Sequence, residues 1–199
     1  MTFLELARRV RAQLGQDHRY AHCVRVARCA EVLAQRHGED PARARTAGML
    51  HDLARLYTPA RLLEESAARG LEIDAYARRF PVVLHAGLSA ELAREGFGIA
   101  DETVLSAIRK HTLGDAQMSR LDAILYLADG LEPGRTFKER GELARIAMRD
   151  LVDGMRATLA SSLRFLEAKG LSVAPQTQAA IDRFNANDPW QEVHTGRAS

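Results

Sequence analysis

Cysteine, aromatic rings and net charge are all scarce in this chain, and each scarcity removes a class of protein. The only cysteines are Cys23 and Cys29. They fall on one predicted helix, six residues apart, which puts their Cα atoms roughly 9 Å apart and out of disulfide reach. Two unpaired thiols suit the cytosol, and a cytoplasmic location is expected. Aromatic residues make up 6% of the chain while alanine, leucine, arginine and glutamate abound, a balance that favours helix over sheet. The formal net charge is +2, so bulk electrostatics give no case for a nucleic-acid or membrane partner. No long apolar run occurs near the start, where Glu5, Arg8, Arg9 and Arg11 interrupt the pattern. Neither a signal peptide nor a transmembrane span is expected. Internal repeats, low-complexity tracts and convincing strand patterns are absent as well.

What remains is ordinary globular material. The 199 residues are 46% apolar and 27% charged, enough for one domain, or one domain with a tail. Phe3, Leu6, Val10 and Leu14 recur at helical spacing over residues 2–14. Gly15 closes that helix, and Asp17 is the expected cap of a second running over about 18–36. Asp40-Pro41 restarts the chain into a third helix that ends near His51-Asp52. Thr58-Pro59 opens a short helix that Gly70 ends, and residues 74–80 form another before Pro81. His85, Leu88 and Leu92 lie on a helix expected to stop at Gly96. Asp101 caps the next, with His111 at its end. Ser119 to Asp122 reads as a capping box with aspartate in place of glutamate, followed by a helix reaching Asp129. Pro133-Gly134 breaks into a charged loop. Leu143 to Leu166 then reads as one long closing helix ended by Gly170, with a final helix near 176–186. From Asn187 the pattern frays, with Trp190 as its anchor. The fold class expected is all-α.

The chemistry concentrates at His51-Asp52. An imidazole and a carboxylate stand side by side where the flanking pattern Ala47-Gly48-Met49-Leu50 predicts core, and buried charges need partners or a metal. Adjacent helical residues point about 100° apart, so both can serve one site only at a helix end. His22, His85, His111 and Asp129 each fall on or beside another predicted helix. Taken singly, a histidine of this kind is more often a surface residue or a satisfied core residue. Taken together, six nitrogen and oxygen donors suffice for two divalent ions such as iron, manganese or zinc. Water between two such ions loses a proton near neutral pH, which suits phosphoester or phosphoanhydride hydrolysis. His37 and the tail residue His194 stay outside this set.

The order His22, His51-Asp52, Asp129 resembles the HD-domain superfamily of metal-dependent phosphohydrolases. Five blocks narrow the likeness: residues 18–22 (HRYAH), 51–55 (HDLAR), 84–87 (LHAG), 107–112 (AIRKHT) and 126–135 (YLADGLEPGR). Together they look like the YqeK family, over roughly residues 2–170. The last block is the most specific of them.

The resemblance implies an HD-domain helical bundle over 1–170, with a C-terminal helix and frayed tail over 171–199. It implies symmetrical hydrolysis of diadenosine tetraphosphate to two ADP by a hydroxide bridging two metal ions, usually iron. His22, His51, Asp52 and Asp129 would hold one ion, and Asp52 would bridge to a second held by His85 and His111. Asp52, His51 and Arg135 are the expected catalytic residues. His18, Arg19, Arg55, Thr112 and Arg135 are the expected substrate-binding residues, since arginine forks match phosphate oxygens. Lys110 and Lys138 are further cations near the ligands. Glu132 is expected to position Arg135 or a metal-bound water. Leu113 and Arg55 depart from the family's usual serine and lysine; both bear on substrate detail and neither is a proposed ligand. The partner implied is a nucleotide, with a homodimer left open. An HD nucleotidase acting on mono- or triphosphates is the alternative enzyme, and a nucleotide-binding module without turnover the alternative outside catalysis.

Overall fold

The computed structural model describes residues 1–186 and 189–190. Among these it contains eleven α-helices and one 3-10 turn, and no strand. The helices are α1 (Phe3–Leu14), α2 (Asp17–His37), α3 (Pro41–Leu50), α4 (Pro59–Ala68), α5 (Ala75–Arg79), α6 (His85–Phe97), α7 (Glu102–Lys110), α8 (Arg120–Leu131), α9 (Arg140–Arg149), α10 (Leu151–Ala168) and α11 (Pro175–Ala186). The 3-10 turn, Pro81–Leu84, leads directly into α6. The fold is all-α, and no helix among the described residues is long and apolar enough to cross a membrane.

The centre of the bundle is α8. Leu121, Ala123, Ile124, Leu125, Leu127 and Ala128 are all buried, and a helix apolar on every side belongs inside. Helices α2, α3, α7 and α10 pack around it. The crossing of α2 and α3 is the tightest. A Cβ placed on Gly48 would stand 2.6 Å from the Ala27 Cα and 2.8 Å from its nitrogen, so the two backbones approach as only glycine permits. His22 lies about one and a half turns before Ala27, and His51 about one turn after Gly48. The close crossing therefore brings these two histidines together. A smaller core of Ala54, Leu62, Ala77, Leu84 and Leu88 seats α4, α5 and the 3-10 turn against α6.

Three details differ from the sequence reading. The closing helix is two helices, α9 and α10. Asp150 adopts extended backbone (φ −144°, ψ 129°) and its side chain caps α10 at the Asp153 amide. Apolar spacing carries through this break, but the local hydrogen bond of Asp150 wins over helix continuation. Helix α6 runs past Gly96 to Phe97 and ends at Gly98, whose φ is +69°. Asp17 is the first helical residue of α2 rather than its cap, and it pairs with Arg11 at 2.9 Å. Helix α11 buries Ala180 and Phe184 in the main core, and Trp190 packs edge-on against Phe184 and donates to the Met118 carbonyl at 2.8 Å. The expected fraying at 187–188 and 191–199, and His194 with it, lie outside the described residues.

Candidate metal centre

Beyond Leu50, α3 unwinds into tight turns over residues 51–56. Arg55 donates to the Asp52 carbonyl at 3.0 Å and Tyr57 to the Ala54 carbonyl at 3.0 Å, while the Ala54 amide is anchored on the Ser89 hydroxyl at 3.0 Å. This unwinding lets consecutive residues face one point. His51 Nε2 and Asp52 Oδ2 are 3.4 Å apart.

The six residues expected as ligands converge into two adjoining groups. In the first, His22 Nε2 lies 3.0 Å from Asp129 Oδ1 and 3.3 Å from His51 Nε2, with Asp52 Oδ2 3.6 Å away from His22 Nε2. In the second, His85 Nε2 lies 3.2 Å from Asp52 Oδ1 and 3.1 Å from His111 Nε2. Each group offers three donor atoms within 4.8 Å of one another. Asp52 stands between them, with one oxygen turned to each. All but Asp129 are buried; the Asp129 side chain is 21% exposed, so the centre is reached from that side.

The hydrogen bonds at the far side of each ring decide what the near side can do. His51 Nδ1 faces the Gly48 carbonyl at 2.8 Å, His85 Nδ1 the Val82 carbonyl at 2.5 Å and His111 Nδ1 the Ile108 carbonyl at 2.7 Å. Each of these histidines is the residue at which its helical segment ends, α3, the 3-10 turn and α7 respectively. His22 Nδ1 instead faces Glu132 Oε1 at 3.1 Å. A carbonyl or carboxylate can only accept, so every Nδ1 carries its proton and every neutral Nε2 presents a lone pair. Two pairs of lone pairs then meet nose to nose, at 3.3 Å and 3.1 Å. A cation between them satisfies both. The donor set, imidazole and carboxylate, fits divalent transition metals.

Charge follows the same geometry. Burial pushes the Asp129 carboxyl up, but His22 hydrogen bonding and the nearby His51, His111 and Arg135 hold it well below the usual carboxylate range. Asp52 is likewise held down against burial by His51 and His85. Burial lowers His111 to about 3 from 6.5. His51 moves the other way: burial opposes its charge, but Asp52, Asp129 and the Gly48 carbonyl together outweigh burial and raise it.

These two histidines set an expected pH profile for chelator-treated protein. Between 6.5 and about 3 the unfolded chain takes up a proton that folded His111 refuses, so stability falls on acidification across that window. The stabilisation from protonated His51 is full below 6.5 and is lost as pH rises through its raised value. Thermal melting of the metal-free protein should therefore peak near pH 6.5. A melting temperature that keeps climbing on the alkaline side would contradict the His51 assignment, and one that does not fall on acidification below 6.5 would contradict that of His111.

The residues expected to bind substrate divide. Arg19 Nη1 bonds Asp52 Oδ2 at 2.8 Å, and its buried Nε has no partner. Arg135 Nη2 bonds Asp129 Oδ1 at 2.6 Å. The Thr112 hydroxyl lies 3.0 Å from His111 Nε2 and 3.3 Å from His85 Nε2. These three rim the centre. His18 is exposed on the first turn of α2, and half-buried Arg55 makes no side-chain hydrogen bond or ion pair among the described residues; the structure brings neither into contact with the donors. Lys110 is taken up by Asp122 at 3.1 Å and by the Gln117 carbonyl. Beside Thr112 and Arg135 opens a cavity of about 640 Å³, lined also by Tyr126, Phe137, Arg164 and Phe165.

Glu132 is buried, and it meets Arg135 through the backbone, its carbonyl accepting from the Arg135 amide at 3.0 Å, while its carboxylate turns elsewhere. Its carboxylate meets His22, the Arg25 guanidinium (Nε at 2.5 Å, Nη2 at 3.1 Å) and the Gly134 amide. Burial raises its pKa, but Arg25, Gly134 and His22 bring it down to about 2. Sequence reasoning passed over Arg25; its spacing of three from His22 on α2 was the available clue. It also passed over Cys23, whose sulfur lies near His51 and Asp52. Without an ion, burial pushes that thiol far up.

An all-helical bundle with a His-Asp pair at a helix end, and further histidines and an aspartate gathered round it, is the architecture of an HD-type hydrolase. The chain belongs to the HD domain family, whose model matches residues 19–134. Over most of its length it is similar to symmetrical bis(5'-nucleosyl)-tetraphosphatases. It is 34% identical to that of Bacillus subtilis over 81% of this chain and 86% of the relative. It is also 34% identical to that of Halalkalibacterium halodurans, over 84% and 89%. Among solved structures it resembles a predicted HD superfamily hydrolase involved in NAD metabolism from Clostridium acetobutylicum. That likeness has a TM-score of 0.88 and 32% identity, covering 94% of this chain and 98% of the other. HD-domain hydrolases are metal-dependent, and the blocks that suggested the family lie on the elements that build the centre.

Proposed function

We infer that this protein is a metal-dependent hydrolase that splits diadenosine tetraphosphate symmetrically into two ADP. The observation that carries the reading is the double donor set divided by Asp52, in a chain whose relatives are named symmetrical tetraphosphatases. His22, His51, Asp129 and Asp52 would hold one ion, and Asp52, His85 and His111 would hold the other. Iron is the metal favoured for the pair, with manganese or zinc as alternatives compatible with the same donors. When bound, two such ions act as Lewis acids and supply activated water.

The chain's own part is to grip and align the polyphosphate. Arg19 and Arg135 lie against the carboxylates of Asp52 and Asp129, where their remaining donors can take phosphate oxygens on either side of the centre. Thr112 adds a hydroxyl at the second donor group. The cavity beside Thr112 and Arg135 receives one nucleoside half, with aromatic walls for a base. A chain of phosphates held at both flanks presents an inner phosphorus to the centre. Its leaving group is ADP, whose terminal phosphate accommodates the departing charge.

Hydrolysis in oxygen-18 water tests this. ADP should be the only nucleotide product, labelled on its terminal phosphate in half of the molecules. AMP with ATP would overturn the symmetrical assignment. Free phosphate released from mono- or triphosphates, without cleavage of the dinucleotide, would favour the nucleotidase reading.

A further inference from the structure

Three of the four histidines at the centre are aimed by a carbonyl one turn back in their own segment. His22 is the exception. Its orienting group, Glu132, comes from the end of α8, more than a hundred residues away in sequence. A glutamate side chain has three rotatable bonds, so its aim must be fixed by something else. The structure supplies that something as a closed set of donors. Oε1 accepts from His22 Nδ1 and Arg25 Nη2, and Oε2 accepts from Arg25 Nε and the Gly134 amide. Among the described residues Arg25 is the only side chain on both oxygens, and its planar fork fixes the carboxylate plane as a single amine cannot.

Gly134 bears on the same point. Its φ is not positive, so the backbone there does not require glycine. A Cβ at Gly134 would, however, stand 2.5 Å from Arg25 Nη2, 2.6 Å from Nε and 2.7 Å from Cζ. The guanidinium lies flat across this residue, in the space a side chain would fill.

We propose that Arg25 is a positioning residue for the ion held at His22, acting through Glu132, and that Gly134 is glycine in order to admit the Arg25 guanidinium. Among the described residues, the Arg25 guanidinium makes no hydrogen bond or ion pair with any of the six donors. It holds Glu132, which holds the His22 ring with Nε2 turned to the centre. The proposal rests on the two-ion reading for its metal readout and on the metal-free fold for its second readout.

Metal titration and metal-free NMR of the full chain test it together. Arg25→Ala should weaken one of the two equivalents by about 10–100-fold, the range for lost partners of a metal-bound histidine, and leave the other unchanged. Gly134→Ala should weaken the same equivalent by displacing the fork. The double variant should then match Arg25→Ala within about twofold, because the second change has nothing left to displace. Long-range proton–nitrogen correlation on the metal-free protein should give a single Nδ1–H form for His22 in the wild type and a mixture in Arg25→Ala. Unchanged metal curves, independent losses that multiply in the double variant, or an unchanged His22 ring would each overturn the proposal. A wild type that binds one ion would refute the two-ion reading instead, while the His22 spectrum would still decide the role of Arg25.

Discussion

Asp52→Ala protein should purify with neither ion and hydrolyse the dinucleotide at least about 10³-fold more slowly. A metal pair offers several kcal/mol of charge stabilisation, and each 1.4 kcal/mol is about tenfold in rate. The expectation follows from position. Asp52 is the residue whose two oxygens face different donor groups, Oδ2 toward His22 and His51, and Oδ1 toward His85 and His111. Its loss removes a ligand from both ions at once and frees Arg19, its partner at 2.8 Å, to bring a positive charge into the centre. His85→Ala removes a donor from one group only and should mainly weaken the second ion. Elemental analysis of anaerobically purified protein distinguishes the two variants: near two equivalents in wild type, near one in His85→Ala, near none in Asp52→Ala. Retention of one full equivalent by Asp52→Ala would show that the groups do not share it.

Gly48→Ala should lower stability although it introduces the better helix former. Alanine gains about 1 kcal/mol over glycine inside a helix. Against this stands the contact of the new Cβ with the backbone of Ala27 at 2.6 Å and 2.8 Å. Backbone atoms cannot rotate away, so α2 and α3 must separate. Overpacking of this kind costs about 1–3 kcal/mol or more, and the clash outweighs the propensity. At this chain length each kcal/mol lowers the melting temperature by roughly 2–4 °C. The separation also draws His22 away from His51, so metal affinity should fall together with stability. A metal-free melting temperature at or above that of wild type would refute the close-crossing account.

How much of this was legible in the sequence depends on the range of the interaction. Helices declared themselves through apolar spacing and local caps, as with Asp101 on the Thr103 amide and the Ser119–Asp122 capping box. His51-Asp52 was legible because a charged pair at the end of an apolar run is costly without a purpose. The joining of six dispersed residues into one centre came from family resemblance, since nothing local ties His22 to Asp129. Contacts between distant segments stayed hidden. Lys110 reads as a cation near the ligands, and Asp122, twelve residues on, takes it up at 3.1 Å. Glu132 reads as a partner of nearby Arg135, and its carbonyl does accept from the Arg135 amide, but its carboxylate goes to Arg25 and His22. The division of α9 from α10 was missed for the opposite reason: a local cap at Asp150 was overlooked under a strong apolar periodicity.

The bonds from His51, His85 and His111 back to the carbonyls of Gly48, Val82 and Ile108 have a consequence for how the protein takes up and releases its ions. Each ring is set by the segment that carries it, so each keeps its aim whether or not its neighbours are engaged. Small zinc domains gain their fold from the ion and lose it to a chelator. Here the large apolar core around α8 carries the fold, and the rings wait in place. Stripping and reloading should thus be an exchange of ions at a standing template, repeatable through many cycles without passing through the unfolded chain.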